Sequence, residues 1–361
     1  MLVNDNSNVT TFIGSSINDC LCQALSGTSN VVAINYFSNS GTCQFFTSYE
    51  PTFEVQVQPT STLLLIQPLP SNPSCTNVTW LLDTIANAAD QYTSVNISAP
   101  ENIVIDNYDR LVTNEDYGRI IQMNRYNLSI TNLISSNTTV AGAISYNNGL
   151  YYIGAGGVGY SSSENALLIY NATDMSLIYK LTGDSSYFGP IRECRFLRNN
   201  TQMFVLSQVS FSYSLILLYQ INSPSNYTLL NRNIQTPAYG AYTIYKVNDT
   251  FFYFTLYNAN KPIYTLKATA NGLNWVVGTF VTQGTQPTLI SSVTVDSCGR
   301  VWAADQYSYI YIYDAITGAL LGTFNEVPQP YYILLLDNYE LFVTTAGNKV
   351  YRFAPQISCT C

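Results

Sequence analysis

An all-β fold assembled from six repeated sheets is what this sequence predicts, and three observations predict it. First, a short polar turn runs directly into an apolar strand start six times: NYDRLV, NNGLYY, NNTQMF, NDTFFY, CGRVWA and NYELFV. With Leu111, Leu150, Met203, Phe252, Val301 and Leu341 as equivalent positions, the repeats step by 39 to 53 residues, the length of four short strands and their turns. Second, the repeats carry a further hairpin pattern, as in RIIQMNRYNLSITNL from 119, ALLIYNATDMSLIYKL from 166 and SYIYIYDAITGALLGTF from 308. Third, the chain has 30 Tyr and 16 Phe but only 10% charged residues, a composition for strands rather than surface helices. The expected fold is a six-bladed β-propeller preceded by a small disulfide-tied α+β module.

Residues 1–52 hold CLCQAL, VVAINYF, an SNSGT turn and CQFF, which predict a short helix and two strands bracketed by cysteines. The proline-rich stretch from Pro51 to Pro73 predicts an extended connector, so 53–90 is expected to be a linker. Residues 91–98, QYTSVNIS, alternate like a strand. The propeller is expected over 91–357, followed by a cysteine-containing tail at 358–361. Its last repeat runs out after NKVYRFAPQ, one strand short of four. Residues 91–98 are expected to supply the missing strand and close the ring, leaving no open sheet edge.

Among 361 residues there is no histidine, which excludes Ser/His/Asp and Cys/His catalysis, an HExxH zinc site and the usual general base near neutral pH. A net charge of −8 offers no footprint for nucleic acid or an anionic membrane, and no apolar run is long enough to span a bilayer. The even set Cys20, Cys22, Cys43, Cys75, Cys194, Cys298, Cys359 and Cys361 predicts disulfides and an exported, extracellular protein. MLVNDNSNVT has neither a cationic start nor an apolar stretch, so the leader of such a protein is expected to lie outside this sequence. Asn-x-Ser/Thr acceptors stand at Asn8, Asn77, Asn96, Asn127, Asn137, Asn171, Asn199, Asn226 and Asn248. GAGGVG lacks the strand, helix and lysine of a phosphate cradle, and CLC lacks the spacing of a zinc knuckle.

Residues 1–52 resemble a shortened apple or PAN module, a likeness carried by Cys20 or Cys22, by Asn35, Tyr36 and Phe37, and by Cys43. It implies carbohydrate or protein binding. The stretch VDSCGRVWAADQYSYIYIYDAITGALLGTF resembles the blades of NHL-like six-bladed propellers of secreted metazoan proteins. That likeness extends over 100–356 and implies a binding scaffold; the family also includes calcium-dependent lactonases and lyases.

In a propeller the turns between the first and second and the third and fourth strands share one face, and the remaining loops share the other. Asn199 and Asn248 fall in turns of the first kind and Asn127, Asn171 and Asn226 in or near those of the second. A face carrying bulky glycans is a poor contact surface, although Asn is also simply a good turn residue. The opposite face has longer loops bearing Tyr117, Tyr160, Tyr187, Tyr239, Tyr242, Tyr257, Tyr307 and Tyr331, expected to ring the channel mouth as the binding face. Glu115, Asp116, Glu164, Asp184, Glu193 and Asp305 are the carboxylates that could converge there on calcium. Asp106, Asp296 and Asp337 at the inner turns are expected to bond the local backbone instead. The expected function is non-catalytic recognition of an extracellular protein or carbohydrate. A calcium-dependent propeller hydrolase or lactonase and a structural matrix component are the alternatives.

Overall fold

Each polar-turn repeat folds, in the computed structural model, into a four-stranded antiparallel sheet. The structure describes residues 2–3, 9–14, 16–26, 31–46, 54–55, 60–65, 75, 77–88, 93–115, 118–135, 140–156, 164–210, 213–237, 240–256, 263–269, 274–280, 282–283, 287 and 289–355. Two compact units divide the chain, one built on Met1–Leu81 and the other on Leu82–Gln356.

In the first unit the strand order is Val9–Ile13, Thr42–Phe46, Ala33–Phe37 and Ser61–Leu65. The helix Ile17–Ser26 packs on the two central strands. Ser16 starts it by accepting the Asp19 amide at 3.2 Å. Cys20 and Ala24 turn inward against Ile34 and Phe45, and a disulfide joins Cys20 to Cys43 with their Cα atoms 5.8 Å apart. Cys22, two positions further along the helix, points the other way and carries a free thiol, which corrects its expected pairing. The connector expected over 53–90 is corrected too. Its apolar STLLL segment pairs with Ala33–Phe37 as an edge strand, and residues Val78–Asn87 form a helix whose start Asn77 caps through the Trp80 amide at 2.9 Å.

In the second unit the described residues form sheets I to V over 100–135, 140–181, 191–235, 241–280 and 290–324. Sheet VI takes three strands from 330–353 and its fourth, Thr93–Asn96, from the start of the unit. The first strands, Pro100–Ile105, Val140–Asn147, Ile191–Leu197, Ala241–Asn248, Ile290–Val295 and Pro330–Leu335, each contact the next in cyclic order, the sixth returning to the first. They therefore surround an axis. Apolar clusters fill the wedges between sheets: Phe204 of sheet III meets Phe252 of sheet IV edge-on at 5.1 Å, with Trp275 against both.

All six inner strands are bulged near their start, between Pro100 and Ile103, Ala141 and Ile144, Ile191 and Glu193, Ala241 and Ile244, Ile290 and Ser292, and Pro330 and Tyr332. A bulge frees a carbonyl from the ladder. Four of these carbonyls take a side-chain donor from the preceding sheet: Gly142 O from Asn114, Ser291 O from Thr255, Tyr331 O from Ser291 and Glu101 O from Thr344. At the bulge-free end the Asp106 and Asp296 carboxylates fold the turns, accepting the amides two and four residues on and ion-pairing with Arg110 and Arg300. Leu336 occupies the equivalent position in sheet VI, so Asp337 is one residue out of register with the role expected of it, and Asn338 accepts the Glu340 amide at 3.1 Å.

Replacing Thr344 with Val keeps the shape but leaves the Tyr332 amide and the Glu101 carbonyl unpaired in a buried place. It is expected to lower stability by about 2 kcal/mol, read as a reduced urea midpoint at unchanged slope. Removing the Cys20–Cys43 disulfide by paired Cys→Ala changes is expected to cost the first unit about 3 kcal/mol. Hydrogen exchange should then quicken in Ala33–Phe37 and remain slow in the sheet III strand Gln202–Ser207.

Candidate functional site

The two ends of the axis differ chemically, and the inner-strand bulges are the reason. A bulge resets the alternation of side chains, so consecutive residues reach opposite ends: Tyr331 lines a cleft at the bulged end, and Tyr332 lines a pocket at the turn end.

The bulged-end cleft, ≈ 300 Å³, is lined among others by Glu101, Arg192, Tyr242, Gln306, Tyr331 and Thr345. Its aromatic walls are fixed: the Tyr242 and Tyr331 rings meet edge-on at 5.6 Å, and the Arg192 guanidinium stands 6.0 Å from the Tyr242 ring centre. Tyr331 donates to Glu101 Oε2 at 3.1 Å, and Arg192 Nε donates to Gln208 at 2.9 Å. Burial first, and then the charge of Glu101, push the Tyr331 phenol well above the ordinary tyrosine value, so it is a hydrogen-bond donor at neutral pH. Of the tyrosines expected to ring this mouth, Tyr242 and Tyr331 are brought together. Tyr187 stands under Arg232 at 5.4 Å outside the cleft, and Tyr307 is 63% exposed on the loop after Asp305. Tyr117, Tyr160, Tyr239 and Tyr257 lie outside the described residues.

The candidate calcium ligands are not gathered. Glu115 pairs with Arg119, Glu193 with Arg195, and Asp305 Oδ1 accepts the amides of Leu289 and Tyr307. Glu164 is exposed ahead of the sheet II strand Ala166–Asn171, and Asp184 is held below the ordinary carboxylate value by the Ser186 hydroxyl and amide. Asp116 lies outside the described residues. Among the described residues no three Asp, Glu, Cys or His side chains come together as a metal site.

At the turn end, Asn127, Asn199, Asn226 and Asn248 are exposed and Asn171 is half-buried. Asn127, Asn171 and Asn248 each accept the amide of their own Ser or Thr two residues on, so their turn-forming role is present. Asn96 is exposed at the opposite end, where it pairs with Lys349, and Asn8 and Asn137 lie outside the described residues. Cys75 and Cys298 each have their sulfur in a disulfide. Cys194 is a correction: it sits buried and unpaired on the sheet III inner strand, where burial pushes its thiol up to about 12. Cys359 and Cys361 lie outside the described residues.

Between the two ends lies a buried charged floor that the sequence reading did not combine into a site. Glu193 pairs with Arg195, accepts the Ile244 amide at 2.7 Å and lies 3.4 Å from the Tyr332 hydroxyl, which accepts from Arg195 at 2.7 Å. Burial raises Glu193 from 4.5 to about 7 against the lowering effect of Arg195. The signal was present in PIRECRF, three charged side chains in a strand that the repeat places at the axis.

The fold is a β-propeller. The chain resembles the WD40 β-propeller domain of Doa1 at TM-score 0.51 and 11% identity, over 72% of this chain and 79% of that one. It also resembles the β-propeller domain of Myceliophteria thermophila Cps50 (Swd1) at TM-score 0.54 and 7% identity, over 73% and 99% of the two chains. No family model and no curated protein matches the sequence. Among the described residues no helix is long and apolar enough to cross a membrane.

Because folded Glu193 binds its proton more tightly than the unfolded chain does, its contribution to stability is fullest below about pH 4.5 and is lost as pH rises to about 7. Urea midpoints measured across this window are expected to fall with rising pH in the parent chain and to be flatter in Glu193→Gln.

Proposed function

We propose that this propeller is a secreted, glycosylated, non-catalytic binding protein that recognises an extracellular protein or a glycan at the bulged end of its axis. The observation that carries this reading is the cleft in which the Tyr242 and Tyr331 rings meet edge-on at 76° beside Glu101, Arg192 and Gln306. Rigid aromatic faces surrounded by polar groups suit sugar rings and polar peptide segments, because they provide contact area at little cost in side-chain entropy. The disulfide-bonded Cys20, Cys43, Cys75 and Cys298 support an oxidising compartment. Exposed acceptor asparagines at the turn end support leaving that end to glycans and the other to the partner. In this reading the six sheets are NHL-like blades and the first unit is a PAN-like module.

The test is a glycan array and an extracellular-protein array probed with the chain secreted from eukaryotic cells, in parallel with Tyr242→Ala. Selective binding that weakens by about tenfold or more in the variant, with the near-ultraviolet circular dichroism unchanged, is the expected result. Equal binding by both chains would place recognition elsewhere.

A further inference from the structure

We propose that the turn end of the axis is a second, independent ligand site, a pocket for a small monocarboxylate with an apolar body, whose carboxylate is anchored by Arg195. The pocket measures ≈ 310 Å³ and draws lining residues from all six inner strands. That volume is in the lower range of small-molecule sites.

Its accessible apolar wall includes Ile105 from sheet I and Leu334 and Leu335 from sheet VI. Tyr146 and Tyr245 add ring surface while their hydroxyls are engaged with backbone, the first accepting the Gly149 amide at 3.1 Å and the second donating to Val295 O at 3.2 Å. The floor is polar. Arg195 lies two residues before the end of its strand, deeper than Ile105 and Leu335, which end theirs. Its side chain keeps 19% of its surface accessible although the Glu193 carboxylate beneath it has none. An apolar shaft ending in a guanidinium matches an amphiphile that enters head first. The charge beneath the floor does not make the site cationic-selective, since Glu193 is already held by Arg195, the Ile244 amide and Tyr332. Lys246 at the rim, paired with Asp249 at 2.6 Å, adds no carboxylate to the walls.

The same floor makes occupancy sensitive to pH. The groups facing Glu193 are Arg195 and Cys194 on its own strand, Tyr332 from sheet VI and the Ile244 amide from sheet IV. Protonation of Glu193 leaves the Arg195 charge without its internal partner, so an added carboxylate is held more tightly at pH 6 than at pH 8.

Octanoate, with ten non-hydrogen atoms, is the probe, titrated calorimetrically into the full chain at both pH values. Saturable one-to-one binding, tighter at pH 6, is expected, with octanol weaker by about tenfold or more. Leu335→Trp, which fills the shaft near its mouth and leaves the buried ion pair alone, is expected to abolish binding; Arg195→Met is expected to weaken octanoate and not octanol. Absent saturation, equal affinity for octanol, affinity that does not rise toward pH 6, or normal binding by Leu335→Trp would overturn the proposal. Tyr242→Ala at the other end should leave octanoate binding unchanged, which keeps this site separable from the partner-binding cleft.

Discussion

The structure depends on satisfying the carbonyls that the inner-strand bulges expose. Strands converging on an axis must bend and twist more than a flat ladder allows, and a bulge supplies both at the cost of unpaired backbone. In a buried wedge that backbone cannot turn to water. The donors come from the neighbouring sheet, so each repair is also a joint: Asn114, Thr255, Ser291 and Thr344 are all at most 1% exposed, and each bonds a carbonyl of the next sheet in the ring. Angular spacing and hydrogen-bond accounting are thereby the same constraint. Where sheet II meets sheet III the joint is made by close approach instead. A Cβ on Gly154 would stand 2.1 Å from the Ile191 carbonyl oxygen, so only glycine lets the two backbones come together there.

At the other end of the wedges the ring is held by charge. Arg110 reaches from its own turn to the Ala172 carbonyl at 2.7 Å and to Tyr151 of sheet II, and Arg300 reaches Tyr339 of sheet VI at 3.0 Å. The same arginines are bound to Asp106 and Asp296, and Trp302 completes the second carboxylate at 2.9 Å. Fully bonded pairs of this kind specify geometry more than they add stability, because desolvation consumes much of the attraction. The Glu193 and Arg195 pair at the axis is different. It joins three sheets, since Arg195 of sheet III donates to Tyr332 of sheet VI at 2.7 Å while Glu193 accepts the Ile244 amide of sheet IV at 2.7 Å.

What was legible in the sequence followed from local pattern. The apolar starts at Leu111 through Leu341 locate the second strand of each sheet because they lie directly after turn residues, and Asp106 and Asp296 disclose their turns because a bond to the local backbone needs no distant partner. The same reading slipped at Asp337, where a neighbouring Asp stood in for the Leu336 that holds the structural position. Which tyrosines meet was not legible. Alternation along an unbulged strand would send Tyr331 and Tyr332 to opposite faces of the sheet, and only the displacement at Pro330 to Tyr332 puts both on the axis at different depths. STLLL was hidden by flanking prolines, which are compatible with an edge strand as well as with a linker. The pairing expected of Cys194 rests on parity, and parity carries no information on distance.

Ring closure pairs Thr93–Asn96 with Lys349–Arg352, roughly 250 residues along the chain, and this separation is less costly than it looks. Loop-closure entropy grows only logarithmically, so joining these ends rather than adjacent repeats of about 46 residues adds about 1.5 kcal/mol. The seam offsets that with bonds of its own. Asn348 accepts the Ala99 amide at 2.8 Å, Thr344 holds Glu101, and the buried Glu340 carboxylate is shared by Arg125 of sheet I and Arg352 of sheet VI. Arg125 also pairs with Asp109, and Arg352 donates to the Tyr126 carbonyl at 2.8 Å, so the two sheets are clasped through side chains and backbone together. Because Asn96 leads within four residues into Pro100, the outer strand of the last sheet and the inner strand of the first are one continuous segment. Opening the ring would require that segment to leave two sheets at once, which makes the last and first sheets cooperate rather than fray.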